Sequence, residues 1–166
     1  MKNIKILQYT ILIISSIFLS FAIYFISPSI TYEIDYNEEA NLLERANDYL
    51  SEGEVEYALQ IYDEILKLNQ TNISALNYKG LAFASMGNYE EAIKTYNKIL
   101  TIDPNDLLAL NNKGVTLYNL GNYEEAIKMY NKILMIDPND VDAKYNKNIA
   151  LLSLNQSQEA NIIYKR

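Results

Sequence analysis

The side chains that enzymes use most often for covalent and metal chemistry are missing from this 166-residue chain. It contains no cysteine and no histidine, which excludes thiolate nucleophiles, cysteine-ligated metals and Ser-His-Asp catalysis within this chain. Lysine and carboxylate groups remain, but their spacing follows no catalytic pattern. Asparagine and tyrosine are abundant, and we read this abundance as coding bias. We expect no enzyme activity, no metal and no cofactor.

Charge is distributed unevenly along the chain. The formal net charge is −7, and the only charged side chains before residue 30 are Lys2 and Lys5. The remainder carries 12 basic and 21 acidic side chains, a balance of −9. Nucleic-acid binding is disfavoured, because it requires clustered lysine and arginine. The balance instead favours a soluble, self-repelling surface.

Residues 6–26 form an uncharged, mostly apolar stretch. As a helix it would span about 31 Å, close to the hydrocarbon thickness of a bilayer. We predict a transmembrane anchor at 6–26, with a cytoplasmic tail at 1–5 and a linker at 27–38. The alternative is a cleaved signal peptide, whose apolar region is shorter. The lysines before the stretch and the acids after it indicate a cytoplasmic N-terminus and an extracytoplasmic remainder.

The rest of the chain repeats every 34 residues. Residues 87–106 and 121–140 are identical at 18 of 20 positions, and differ only at Thr95/Met129 and Thr101/Met135. A period of this length is typical of stacked helical hairpins. The blocks are 39–72, 73–106, 107–140 and a truncated 141–166.

Each block contains two predicted helices around a turn. Glycine and asparagine tolerate the positive φ that often follows a helix. The residues that we expect to fill the turn are Gly53, Gly87, Gly121 and Asn155. The second helix is predicted to end at Asp103-Pro104 and at Asp137-Pro138, since proline cannot continue a helix. The Asp-Pro-Asn-Asp stretches lack the length and glycine of a calcium loop, so we assign their carboxylates to turns and helix caps.

Small and large residues alternate at fixed offsets, as facing layers of a core require. The small residues are Ala46, Gly80 and Gly114 in the first helix and Ala58, Ala92, Ala126 and Ala160 in the second. The large residues are Tyr49, Phe83, Leu117 and Leu151, then Tyr62, Tyr96, Tyr130 and Tyr164. The tyrosine stripe has two interpretations, a ligand site or core packing, and we favour core packing with the hydroxyl at the rim.

These blocks resemble tetratricopeptide repeats. That family has a small residue at position eight, an aromatic at eleven, glycine at fifteen, alanine at twenty, an aromatic at twenty-four and proline at thirty-two. The second and third blocks match almost throughout. The first departs at Ala46 and Gln70, and the fourth at Asn148 and Asn155. The resemblance covers residues 39–166 and implies an all-α fold, a right-handed α-solenoid of about four helical hairpins, here preceded by one transmembrane helix.

In that family the first helices line a concave groove. The second and third blocks differ at eleven positions, nine of them in the first fourteen residues, which favours a varied groove on a constant wall over even drift. The residues that the resemblance places in a peptide-binding groove are Asn47, Asn77, Tyr78, Leu81, Asn111, Asn112, Val115, Tyr118, Tyr145, Asn146 and Ile149.

The polar part of this predicted groove is asparagine. A carboxamide offers both a donor and an acceptor, so it can pair with a peptide backbone. The arrangement resembles the asparagine ladders of peptide-binding members, although only Asn112 and Asn146 share one register. It does not resemble the Lys/Arg/Asn clamp for a C-terminal carboxylate, because Leu43, Leu108 and Asp142 occupy positions where cations are needed. The general abundance of asparagine is the competing explanation.

Three classes of function remain open. The leading one is a membrane-tethered scaffold that binds a peptide segment of a partner protein. The second is self-assembly into a homo-oligomer through the fourth block, which carries Ile162, Ile163 and Tyr164 and no predicted capping helix. The third is a non-catalytic subunit of an envelope enzyme complex.

Overall fold

A computed structural model describes the backbone of residues 38–164 and the side chains of residues 38–159. The predicted tail and anchor and nearly all of the linker lie outside the described residues, as do the side chains of Ala160, Ile162, Ile163 and Tyr164. Within 38–164, no helix combines the length and the apolar composition needed to cross a bilayer. The chain divides into two compact units, Met1–Asn41 and Leu42–Arg166, and nearly all described residues belong to the second.

Residues 38–164 contain helices and turns and no strand. The helices are 38–51 (α1), Val55–Leu68 (α2), Ile73–Ser85 (α3), Tyr89–Ile102 (α4), Leu107–Asn119 (α5), Tyr123–Ile136 (α6) and Val141–Tyr164 (α7). Helices α1/α2, α3/α4 and α5/α6 form three hairpins, and α7 follows them. The all-α prediction is confirmed over this part of the chain.

Glycine makes the turn inside each hairpin. Gly53, Gly87 and Gly121 have φ values of 84°, 75° and 84°. Side chains other than glycine rarely adopt this left-handed conformation, because their Cβ meets the backbone. The three predicted glycine turns are therefore confirmed.

Side-chain caps start the first helix of a hairpin. The Asp106 carboxylate accepts a hydrogen bond from the Ala109 N–H at 2.7 Å, which satisfies a donor that the helix leaves free. Asp103, which precedes Pro104, accepts from the Asn105 N–H at 2.9 Å. The carboxylates of the Asp-Pro-Asn-Asp turn thus perform the predicted turn and cap chemistry.

A tyrosine of the second helix packs against the small residue of the first. Tyr62, Tyr96 and Tyr130 are at most 2% exposed. A Cβ added to Gly80 would lie 2.5 Å from Tyr96 Cε1, and one added to Gly114 would lie 2.6 Å from Tyr130 Cε1. Glycine therefore lets the ring approach the helix backbone this closely. The core-packing interpretation is confirmed for these three rings. The expected position of the hydroxyl at the rim is wrong for Tyr96, whose hydroxyl oxygen is buried.

The first helices and the second helices of the hairpins pack differently along the row of hairpins. Helix α3 contacts α5, and α5 contacts α7, so the first helices of successive hairpins touch one another directly. Helices α2, α4 and α6 make no comparable contacts among themselves. Unequal packing of this kind curves the row, with α3, α5 and α7 on its inner side.

The fourth block departs from the prediction of a helical hairpin. Asn155 was expected to fill a turn, but α7 continues without a break from Val141 to Tyr164. No non-glycine residue of the described part has a positive φ, and the sequence Asn155-Gln156-Ser157 contains neither glycine nor proline to end a helix. Within residues 38–164 no second helix therefore covers α7, and Leu151 is 37% exposed where its equivalent Leu117 is 6% exposed.

Candidate functional site

The predicted groove residues lie on the first helix of each repeat. Asn47 is on α1, and the others are on α3, α5 and α7. Leu81, Val115 and Ile149 are spaced by 34 residues and form one row of exposed or partly exposed aliphatic side chains. Tyr145 is 65% exposed. We call the shared surface of α3, α5 and α7 that carries these residues the inner face.

Two groove asparagines from neighbouring repeats bond to each other. Asn146 Nδ2 on α7 donates to Asn111 Oδ1 on α5 at 3.3 Å. These residues are 35 positions apart, so the fifth position of one repeat meets the sixth position of the next. The sequence analysis paired residues 34 apart and therefore missed this diagonal relationship.

The same diagonal relates Asn77 to Asn112. Asn77 Oδ1 and Asn112 Nδ2 are both buried, and neither makes a hydrogen bond within the described residues. One atom is an acceptor and the other a donor, as in the Asn111–Asn146 bond. A buried amide atom without a partner is unfavourable by about 1–3 kcal/mol. The inner face thus carries two asparagine pairs with the same 35-residue spacing, and the Asn111–Asn146 pair is the one that is hydrogen-bonded.

Asn47 is engaged within its own hairpin. Its Oδ1 accepts a hydrogen bond from the Tyr62 hydroxyl at 2.8 Å. The Tyr62 ring stacks on Tyr78 with a centroid separation of 6.1 Å and an interplanar angle of 10°. Burial, and to a lesser degree Tyr78, raises the pKa of Tyr62 to about 12. Of this group, Tyr78 reaches the inner face as an exposed aromatic ring.

Tyr118 connects the third repeat to α7. Its hydroxyl lies 3.1 Å from Ser153 Oγ, again across a spacing of 35 residues, and its ring packs at 5.3 Å from Tyr123. Ser153 was not among the predicted residues, and the diagonal spacing is the signal that identifies it. Burial, and secondly Tyr118, raises the pKa of Tyr130 to about 12.

The lysines of α3 and α5 point away from the inner face. Lys79 forms an ion pair with Asp63 of α2, and Lys113 Nζ donates to Asn97 Oδ1 of α4 at 2.6 Å. Burial, and secondly the nearby charge of Lys132, lowers the pKa of Lys113. The amides, aromatic rings and aliphatic side chains of the inner face can therefore offer hydrogen bonds and apolar contact to a ligand.

A family model matches the two blocks that are most alike in sequence. The model of the tetratricopeptide repeat matches residues 73–106 and 108–140, which correspond to α3/α4 and α5/α6. The chain contains tetratricopeptide repeats. The two matched repeats lie within residues 38–164, which we call the TPR domain. No curated protein matches this chain significantly.

Solved structures share the fold of the TPR domain. The first TPR of Spaghetti (RPAP3), bound to the HSP90 peptide SRMEEVD, has a TM-score of 0.67 at 20% identity over 72% of this chain and 94% of its own. The second TPR domain of human RPAP3, in complex with the HSP70 peptide SGPTIEEVD, has a TM-score of 0.64 at 21% identity over 70% and 97%. A tetratricopeptide repeat protein from Parabacteroides merdae has a TM-score of 0.68 at 25% identity over 76% and 50%. At these sequence identities, the comparisons show a shared fold and no more.

Proposed function

We propose that the TPR domain is a protein-interaction scaffold whose inner face binds an uncharged, extended segment of a partner protein. The observation that carries this proposal is the concentration of amide pairs and exposed apolar side chains on that one face. Asn77 is buried, but Asn111, Asn112 and Asn146 are partly exposed. Their remaining amide donors and acceptors can hydrogen-bond to a ligand backbone whatever its side chains. Tyr78, Val115 and Tyr145 add apolar contact beside them, and tyrosine does so at little entropic cost.

The scarcity of cationic side chains on the inner face indicates which peptides it can bind. The two RPAP3 domains hold peptides that end in EEVD, which supports peptide binding as a use of this fold. In this chain Leu43, Leu108 and Asp142 occupy the positions where a carboxylate clamp would need cations. Lys79 and Lys113 are directed to α2 and α4 instead. An uncharged segment therefore fits the inner face better than an acidic one.

Site-specific photocrosslinking tests this proposal. A photoreactive phenylalanine replaces either Tyr145 on the inner face or Tyr57 on α2, which is comparably exposed at 56%. We expect a crosslinked partner segment from position 145 and none from position 57, and mass spectrometry of the adduct gives its sequence. Equal adducts from both positions, or an acidic segment at position 145, would contradict the proposal.

Membrane tethering is part of the same proposal. The uncharged stretch 6–26 supports an anchor that holds the TPR domain near a membrane, on its extracytoplasmic side. Fractionation followed by mass spectrometry of the N-terminal peptide tests it. An N-terminal peptide that begins after residue 26, recovered from the soluble fraction, would identify a cleaved signal peptide instead.

The structure gives less support to self-assembly through α7. On the first helices of the preceding repeats, the residues that face the second helix are apolar or small, such as Leu110 and Gly114. Their equivalents on α7 are Lys144 and Asn148, and both are exposed. A second copy packed on this side would have to bury an ammonium group, which is costly without a partner. A role as a non-catalytic subunit of an enzyme complex would use the inner face in the same way as the scaffold.

A further inference from the structure

A cleft of about 640 Å³ lies between α2 and α4, away from the inner face. It exists because these two second helices do not pack against each other. Its floor is apolar and is formed by Leu66, Leu76 and Ile102. A cavity of this size accommodates a few side chains of a ligand.

Two lysines without ion-pair partners line this cleft. Lys67 of α2 and Lys98 of α4 are both exposed. Among the described residues, the ion pairs are Lys79–Asp63, Lys94–Glu91 and Lys128–Glu125, so neither cleft lysine is neutralised by a close carboxylate. Asp63 is the one carboxylate in the lining, and Lys79 neutralises it.

The positive charge is unusual for this chain, whose formal net charge is −7. Within the lining, Lys67 and Lys98 outweigh Asp63 and give a formal charge of +1, and the carboxylate of Asp63 is itself paired with Lys79 beside the cleft. The next junction along the row has the same sign. There Asn97 replaces the carboxylate of Asp63, and Lys113 lies close to Lys132.

We propose that this cleft is a second interaction site, which binds a short acidic segment of a partner protein. One apolar side chain of that segment lies on Leu66, Leu76 and Ile102, and carboxylates on either side of it pair with Lys67 and Lys98. Charge complementarity selects the acidic residues, and the apolar floor selects a peptide over a free inorganic anion. The site is separate from the inner face, and the two sites prefer different ligands: an uncharged segment on the inner face and an acidic one in the cleft.

Fluorescence anisotropy with the full-length protein in detergent tests this inference. The probe is a labelled peptide Glu-Glu-Leu-Glu-Glu, and the test variant is Lys67→Ser with Lys98→Ser. The matched control is Lys94→Ser with Lys128→Ser, which removes the same charge from the second helices outside the cleft. We expect the cleft variant to bind about tenfold more weakly, the size of two exposed ion pairs, and the control to bind nearly as the wild type does.

Two further measurements keep the inference separate from the proposed function. A Tyr145→Ala variant on the inner face should bind this acidic peptide unchanged, whatever happens to uncharged partners. A peptide Glu-Glu-Ser-Glu-Glu should bind more weakly than the leucine peptide. Equal losses in the cleft variant and the lysine control, or equal binding of the two peptides, would overturn the inference and leave a general electrostatic attraction.

Discussion

Gly80 of α3 lies so close to the ring of Tyr96 on α4 that a Cβ at Gly80 would stand 2.5 Å from Tyr96 Cε1. Gly114 and Tyr130 repeat the relationship in the next hairpin at 2.6 Å. The helices of both hairpins are therefore held at a separation that a glycine permits, and this separation positions the inner face.

Gly80→Ala is expected to destabilise the TPR domain by about 1–2 kcal/mol. Overpacking lowers the free energy of unfolding by about 1–3 kcal/mol, and the better helix propensity of alanine offsets up to about 1 kcal/mol of this loss. Urea unfolding followed by circular dichroism measures the change. Ser74→Ala, at an exposed position of the same helix, is the control, and equal stabilities of the two variants would contradict the close approach.

The Asn77–Asn112 pair is expected to behave as a coupled unit. Asn77 Oδ1 and Asn112 Nδ2 are both buried and unpaired among the described residues. Asn112→Ala therefore removes one unsatisfied atom and should cost less than breaking a satisfied buried hydrogen bond, which costs about 1–3 kcal/mol. The double variant Asn77→Ala/Asn112→Ala should lose less than the sum of the two single variants. A double-mutant cycle in urea measures this coupling, and strictly additive losses would show that the two amides do not interact.

Stability is expected to fall at alkaline pH. The folded-state pKa values of Tyr62 and Tyr130 are raised from 10.0 to about 12, so the unfolded chain releases these protons first. The stabilisation is fully present below pH 10 and is lost progressively between about pH 10 and 12. Urea unfolding at a series of pH values measures the slope, which Tyr130→Phe should reduce. Tyr57→Phe, at an exposed position of α2, should leave the slope unchanged.

Restoring the apolar pattern of α7 is expected to create self-association. Lys144→Leu with Asn148→Gly gives α7 the surface that the preceding first helices bury against a second helix. Analytical ultracentrifugation in detergent should show a concentration-dependent oligomer for this variant. Lys144→Gln removes the same charge without adding apolar surface, and oligomers in that control or in the wild type would contradict the role assigned to Lys144 and Asn148.

The repeat period accounts for most of what the sequence predicts correctly. Glycine at the turn, a small residue against tyrosine, and aspartate at the helix cap each predict one local structure. The structure shows these at Gly87, Tyr96 and Asp106 respectively. Asn155 misled the prediction because asparagine tolerates both a helix and a left-handed turn. The residues around Asn155 therefore determine its conformation, and the identity of that one residue is not enough to predict a turn.

The pairings across repeats were harder to predict. Asn146 bonds to Asn111 rather than facing Asn112, because contacts between neighbouring first helices follow the packing of the row and not the period of the sequence. The lysine cleft has a similar origin. Lys67 and Lys98 belong to different positions of their repeats, so no periodic comparison brings them together.

Near-identity of α4 and α6 has a consequence for how the chain folds. Tyr96 packs on Gly80 and Tyr130 packs on Gly114 in the same way, so we expect α4 and α6 to compete for α3 while the chain folds. A species with α6 docked on α3 would keep its core and be a kinetic trap. The Lys79–Asp63 ion pair has only a neutral counterpart, Lys113–Asn97, at the next junction. The ion pair therefore distinguishes α2 from α4 as the partner of α3. Helices α4 and α6 both carry asparagine at this position, Asn97 and Asn131, so their order depends on the length of chain that connects them to α3.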